Sequence, residues 1–376
     1  MAHSSAPRAL TGVGSFLIAV ALLLSCASST PAPKTAAAKP KSPAPAVSSQ
    51  SVSQSASEAT RQRIARQVEP DLMPTDPAEL AEARRKGWGY MVEKLADDGV
   101  SRGRAAAAFA DPRMPAFDGL LFGLNPREPH SMYRNFLRAN SMAAAERCAL
   151  EHANDLRAAE RLHGVDAAVV AAIMHVETHC GRNTGRDIVL HRLARLAMAN
   201  EPRNVARNLG RYPDPDEELS ERVRARARYL EGIFYPQVVA TFEIARQEAI
   251  DPISIRGSGA GAFGYVQFLP MNFVAFGTDG DNNGRVSLYD PADAAASCAR
   301  FLASYGWKPG ISREKRRQII WHYNRSDAYI DTVLGLADRI DASGVLTAAR
   351  KPEATEARVL PVSVPGRSAA PVTQHP

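Results

Sequence analysis

Residues 166 to 178, "DAAVVAAIMHVET", carry apolar side chains nearly all the way round a helix. A helix with no polar face has to be covered on every side, so this one reads as the buried centre of a domain. Past Asp166 at its start, one charge interrupts it. Glu177 stands near its end, followed at once by Cys180 and Gly181. A carboxylate in an apolar setting loses hydration, so its pKa rises and it can stay protonated near neutral pH as a general acid. The alternative is a glutamate capped by Arg182 or Arg186 at the end of a core helix. The sequence offers no second acid at a recognisable spacing.

The flanking segments supply the cover. Asp76-Pro77-Ala78-Glu79 opens a helix in the manner of a capping box, and residues 86 to 114 continue as two short helices. Residues 131 to 164 have the spacing of amphipathic helices, and 221 to 249, 291 to 305 and 313 to 340 again read helical. Residues 255 to 290 are glycine-rich and broken, the one part resembling short strands and loops. The expected class is α+β, predominantly α-helical, with a small β segment.

With 376 residues, 45% hydrophobic and 23% charged, the chain can bury a sizeable core. One domain is expected over residues 76–342. Residues 12 to 25, "GVGSFLIAVALLLS", lie behind Arg8 and fall short of the roughly 20 residues that a spanning helix needs, so residues 1–25 read as an export signal. The sequence "LLSC" at its end resembles a bacterial lipoprotein signal, with Cys26 the lipidated first residue of the mature chain and Ala27 resembling outer-membrane sorting. Residues 26–75 are crowded with Ala, Pro, Ser and Lys and read as a flexible tether, and residues 343–376 as a disordered tail. Net charge is +6, and +5 once the first 25 residues, which hold Arg8 and no acid, are removed. It is spread without a basic block, so no nucleic acid is expected as a partner; the excess suits an acidic surface such as a cell wall or lipid headgroups.

If Cys26 carries lipid, Cys148, Cys180 and Cys298 remain, and one bridge with one free thiol is the simplest count in an oxidising compartment. The segments 148–164 and 165–180 read as a helical hairpin turning near Gly164, with Cys148 and Cys180 equally far from the turn. That favours their pairing. Helices that splay at the turn would instead make Cys298 the partner of Cys180.

Three further patterns could carry chemistry. Gly259, Gly261 and Gly264 satisfy G-x-G-x-x-G, but Pro270 arrives within six residues, so no phosphate-binding helix is expected and the glycines read as tight packing beside a cleft. In "DGDNNGRVSLYD", Asp279, Asp281 and Asn283 hold the first, third and fifth places of a calcium loop, Gly284 falls at the sharp turn, Arg285 can offer a carbonyl and Asp290 is twelfth. Asp293 could close the site instead, and a solvated turn is the plain alternative. Finally, Trp321, Tyr323 and Tyr329 cluster with Asn324 in "WHYNRSDAY", flat faces beside an amide that suit sugar rings.

Taken in order, "VAAIMHVETHCGRNTG", "IRGSGAGAFGYVQFLP", "TDGDNNGRVSLYDPADAAASCARFLASYGW" and "YNRSDAYIDTVLGLA" resemble the catalytic helix, glycine-rich cleft, calcium loop and closing motif of the B-type membrane-bound lytic murein transglycosylases, over residues 86 to 340. The resemblance implies a lysozyme-like fold with an EF-hand-like calcium loop. It implies one catalytic acid, Glu177, which protonates the oxygen between N-acetylmuramic acid and N-acetylglucosamine in peptidoglycan and leaves a 1,6-anhydro sugar. Tyr133, Ser258, Gln267, Tyr323, Asn324 and Tyr329 match positions that hold the glycan. Asp279, Asp281, Asn283, the Arg285 carbonyl and Asp293, with Asp290 nearby, match the calcium site; no cofactor is implied for the chemistry. The expected setting is an outer-membrane lipoprotein facing the periplasm of a Gram-negative bacterium, with peptidoglycan strands as partner and membrane contact through the lipid alone. A hydrolase (muramidase) and an inactive peptidoglycan-binding scaffold are the alternatives. Three departures stand out: Cys180 replaces an aromatic or aliphatic residue, Asn283 replaces an acid, and an expanded segment over 200–232 leaves Arg203, Arg226 and Arg228 as candidates for the family's arginine pair.

Overall fold

The computed structural model describes residues 73–124, 133 and 135–348. Cys26, the signal segment, residues 26–72 of the expected tether and residues 349–376 of the expected tail lie outside them.

Three short helices come first: α1 (Pro77–Arg85), α2 (Gly89–Asp97) and α3 (Arg102–Ala110). Asp76 caps α1 by accepting from the Ala78 amide, and Ser101 caps α3 by accepting from Arg104, contacts that stabilise a helix start by about 1 kcal/mol each. Trp88 and Phe109 fill the space between these helices with ring centroids 5.1 Å apart.

Next come α4 (Ala139–Glu151), α5 (Ala153–His163) and α6 (Ala167–Thr178). Every α6 residue except Glu177 is buried, as its apolar circumference requires, and α4, α5 and two later helices, α11 (Pro291–Ser304) and α13 (Asp327–Ser343), cover it. Burying each large apolar side chain contributes about 1.5–3 kcal/mol. The expected hairpin turns at Gly164, where φ is 69°. Its first arm is broken at His152, between α4 and α5. The symmetry argument nonetheless holds: Cys148 and Cys180 form a disulfide, and Cys298 is a buried free thiol.

Between α6 and α11 the chain forms α7 (Val189–Ala197), α8 (Pro202–Leu209), the 31-residue α9 (Glu217–Gln247) and the short α10 (Pro270–Phe276). Two-residue strands β1 (Asp187–Ile188) and β2 (Arg256–Gly257) pair antiparallel, Asp187 opposite Gly257 and Ile188 opposite Arg256. The β segment was expected over 255–290; its partner strand at 187–188 was not, since two residues carry no readable alternation. α10 corrects another expectation. Pro270 does not prevent a helix but starts one, because a first-turn residue needs no amide donor. No nucleotide-binding unit results, for β2 is antiparallel to its neighbour and Phe263 and Phe268 bridge before α10 begins.

The last helical block, expected as one stretch over 313–340, is two helices, α12 (Arg313–Tyr323) and α13. Asn324 is extended with φ −147°, and Ser326 caps α13. Packing also continues past the expected boundary at residue 342. In α14 (Val345–Ala348), Leu346 is buried and its carbonyl accepts from Arg157 at 2.8 Å. Among the described residues no helix is long and apolar enough to cross a membrane.

Candidate active site

The site forms where the end of α6 meets the break between α12 and α13. The Tyr329 hydroxyl donates to the Glu177 carboxylate at 2.7 Å. Tyr329 can reach it because Ser326 restarts the helix and accepts the Tyr329 amide. Tyr323 lies parallel to Tyr329 at 6.3 Å between centroids, and Tyr133 meets it edge-on at 5.8 Å. The Tyr323 hydroxyl donates to the Val266 carbonyl, linking this wall to the glycine-rich segment. Asn324 is 6% exposed; its amide nitrogen lies 3.5 Å from the Tyr133 hydroxyl, while Oδ1 has no hydrogen-bond partner.

Burial pushes Glu177 up to about 7, only partly offset by the Tyr329 hydrogen bond. Neither Arg182 nor Arg186 caps it: both are exposed, and no described basic side chain acts on it. Burial also raises Tyr323, Tyr329 and the Cys298 thiol far above neutrality. Glu177 is thus the one member of this group that exchanges a proton near pH 7. Among the described residues no second carboxylate acts on it.

The remaining expected residues divide. The Gln267 side chain donates to the Gly264 and Thr184 carbonyls at 2.9 and 3.2 Å, and the residue itself is left-handed with φ 46°. The Ser258 hydroxyl is occupied within its own loop, donating to the Ala262 carbonyl and accepting from the Ala262 amide. Both brace the cleft wall. Gly264 shows how tight that wall is, since a Cβ there would lie 2.3 Å from the Leu288 Cβ. Trp321 is 42% exposed and stands outside the tyrosine cluster, contrary to expectation. Of the arginines, Arg203 and Arg228 are exposed, Arg228 pairing with Glu221, and Arg226 is buried with its guanidinium over the Tyr229 ring.

Sequence reasoning missed Thr178. Its Oγ1 accepts from the Gly181 amide at 2.9 Å and lies 2.8 Å from the Tyr265 carbonyl, tying the end of α6 to the glycine-rich segment. A hydroxyl directly after Glu177, at a helix end followed by glycine, was the available signal.

The acidic loop is a second centre. Carboxylate oxygens of Asp279, Asp281 and Asp293 lie within 4.8 Å of one another. Asp279 accepts from the Gly284 and Asn283 amides at 2.8 and 3.1 Å, Asp281 from the Asn283 amide at 3.0 Å, and the buried Asp293 from Gly280 and Ser287, each at 2.7 Å. The Asn283 side-chain oxygen accepts from the Arg285 amide. Asp290 does not join them: it accepts from Ala292 as the N-cap of α11, so the carboxylate completing the cluster is Asp293. Three carboxylates this close, one wholly buried, fit a hard cation. A separate cavity of about 370 Å³ lies between α5, α11 and this loop, lined in part by Asp155, Leu162 and Asp279, and excludes Glu177.

Comparison with known proteins bears on the family and the fold. The transglycosylase SLT domain profile matches residues 91–317. Membrane-bound lytic murein transglycosylase B of Escherichia coli is 31% identical over 160 residues, 43% of this chain and 37% of that protein, so the aligned part spans little more than a third of the relative. In structure, the Escherichia coli lytic transglycosylase SLT35 in complex with bulgecin A superposes with a TM-score of 0.51 at 21% identity, covering 74% of this chain and 99% of that one. SltB1 from Pseudomonas aeruginosa, a catenated lytic transglycosylase, gives 0.52 at 22% identity over 71% and 98% of the two chains. These likenesses establish the lysozyme-like, mostly helical fold. The match over more than half its length means that the chain belongs to the transglycosylase SLT domain family.

Proposed function

We propose that the chain is a lytic transglycosylase that cleaves the β-1,4 bond between N-acetylmuramic acid and N-acetylglucosamine in peptidoglycan, leaving 1,6-anhydro ends. The observation that carries this reading is Glu177, one carboxylic acid with a pKa of about 7 on which, among the described residues, no second carboxylate acts. Glycosidases that use water or a covalent intermediate work with two acids. One acid suffices if it acts twice. Glu177 gives its proton to the glycosidic oxygen as the bond to C1 breaks, and its carboxylate then takes the proton of the muramoyl 6-hydroxyl as that oxygen bonds to C1. No water is consumed. The Tyr329 hydroxyl at 2.7 Å steadies the carboxylate between the two steps. Tyr133, Tyr323 and Asn324 border the sugar, and Gln267 and Ser258 keep the wall in shape. Family membership and the name of the Escherichia coli relative support the assignment.

The test is digestion of purified peptidoglycan followed by mass spectrometry. Wild type is expected to release anhydro products and Glu177→Gln about 10³-fold less. Products heavier by one water would mark a hydrolase, and binding without products a scaffold.

The same reading takes Cys26 as a lipid anchor that holds the enzyme to the outer membrane, facing the periplasm. Incorporation of a labelled fatty acid into wild type but not Cys26→Ser tests it. It also takes Asp279, Asp281, Asn283, Arg285 through its carbonyl and Asp293 as ligands of a structural Ca2+. The carboxylate cluster supports this, as does a calcium complex of SLT35, whose fold matches at a TM-score of 0.51. With Asn283 in place of an acid, the expected affinity is on the order of 10⁻⁴ to 10⁻³ M, as in extracellular sites.

A further inference from the structure

The turn that ends α6 has unusual backbone. His179, Cys180 and Gly181 take φ values of 50°, 59° and 76° in succession. Residues with a Cβ disfavour this left-handed region, and it persists only where the surroundings over-determine it. Several contacts do so here. The His179 and Cys180 amides donate to the His175 and Met174 carbonyls at 2.9 and 3.0 Å, and the Gly181 amide donates to Thr178 Oγ1. A Cβ on Gly181 would lie 2.1 Å from the Tyr265 ring, so the turn is pressed against the segment that carries Gln267. The remaining tie is covalent: Cys180, three residues past Glu177, is bonded to Cys148 of α4.

We propose that the Cys148–Cys180 disulfide positions Glu177 and makes the site responsive to thiols. Closed, it pins the left-handed turn on Tyr265 and keeps the carboxylate on Tyr329; open, the turn relaxes and the acid loses its setting. The inference rests on Glu177 being the acid. The Cys148 side of the bridge is buried and Cys180 is partly exposed, so a thiolate reaches Cys180 Sγ and Cys148 leaves. With a dithiol the second thiol resolves the mixed disulfide. The protein gains two electrons and two protons, and the reagent leaves as its own cyclic disulfide. Cys298, already a buried thiol, takes no part. The groups that face the turn are His175, His179 and Arg182 with Arg147 from α4; those that face Glu177 are Tyr329, Tyr323 and Cys298. The latter three ionise far above neutrality, so the basic limb of the rate profile reports on Glu177.

The experiment compares the purified mature protein with and without dithiothreitol, release of anhydro ends being the readout and thiol titration verifying reduction. Reduction is expected to lower kcat about ten- to a hundredfold, the effect of a displaced catalytic group, with KM little changed. The basic limb should move to lower pH, because water admitted at the turn relieves the desolvation of Glu177. Reoxidation should restore both. Cys148→Ser with Cys180→Ser is expected to behave as the reduced protein whether or not reagent is present, and His179→Gly in that background to recover part of kcat, since glycine takes this φ freely. Should the paired serine variant fail to fold, reduction of the folded wild type decides. Verified reduction with kcat and the basic limb unmoved overturns the proposal. A wild type that makes no anhydro ends even when oxidised overturns the reading of Glu177 instead.

Discussion

Two groups of carboxylates sit in one domain under opposite conditions. At the end of α6, Glu177 has one hydrogen-bond donor, Tyr329, and burial raises it to about 7. In the loop from Asp279 to Asp293, three acids crowd within 4.8 Å, yet each accepts from backbone amides. Burial pulls Asp279 upward, and the Gly284 and Asn283 amides outweigh it and hold its carboxyl below the usual range. Burial pushes Asp293 up, against the amides of Ser287 and Gly280. Burial is the largest single influence on all three of these acids, and only at Asp279 do the hydrogen bonds it accepts outweigh it. One setting suits an acid that gives a proton away, the other acids that hold a cation.

The largest break in this contrast comes from Glu177→Gln, expected to lower release of anhydro ends by about 10³-fold. The same substitution should stabilise the fold in a pH-dependent way. A raised carboxyl pKa imposes no penalty below the unfolded value of about 4.5 and a growing one as pH rises through 7. Melting curves of variant and wild type should therefore agree at pH 4, diverge between about 4.5 and 7, and stay apart above that by roughly 2–3 kcal/mol in favour of the variant. If the difference between them is the same at pH 4 and above neutrality, the acid is not desolvated.

Tyr329→Phe sharpens the same side. A hydrogen bond to a charged group contributes about 1.5–3 kcal/mol, so kcat should fall about ten- to a hundredfold. Because that bond holds the Glu177 pKa down, the basic limb should move to higher pH, the reverse of what reduction does.

On the loop side, Asp293→Ala orphans the Gly280 and Ser287 amides around a buried site. About 3 kcal/mol of stability should be lost, read as a lower melting temperature while activity at low temperature survives. Smaller still is the response to calcium. At about 100 times the dissociation constant, the ion would add roughly 2.7 kcal/mol. Asp281→Ala, at an exposed position, should abolish that shift and otherwise change stability by less than about 0.5 kcal/mol. A wild-type melting curve indifferent to both chelator and millimolar calcium would leave the loop an acidic turn.

The sequence made one half of the site legible. A helix apolar on all faces announces its own burial, so the depth of Glu177 follows from "AAIMHVET" alone. Tyr323, Asn324 and Tyr329 were found as a group, but the break that aims them was not, because Asn324-Arg325-Ser326 holds neither proline nor glycine. The same gap put Trp321 in the cluster, although it belongs to the outer face of α12. Loop hydroxyls were harder. Ser258 braces its own backbone, and nothing in the residue type distinguishes a hydroxyl turned inward from one offered to a ligand. Asp290 and Asp293 were left as alternatives because spacing allows either; the start of α11 separates them, since a helix takes the first as its cap and buries the second.

Glu177 and Tyr329 are 152 residues apart. At roughly 5–20 residues per second of synthesis, the second follows the first by about 8–30 s. Until α13 arrives, the end of α6 lacks the largest part of its cover and the Tyr329 hydroxyl, and a glutamate open to water is ionised at neutral pH with no proton to give. An exported chain in which α13 has not yet docked is therefore expected to be harmless to the glycan it meets. Competence comes late, when the far end of the domain docks, and a chain that stops before Asp327 never acquires it.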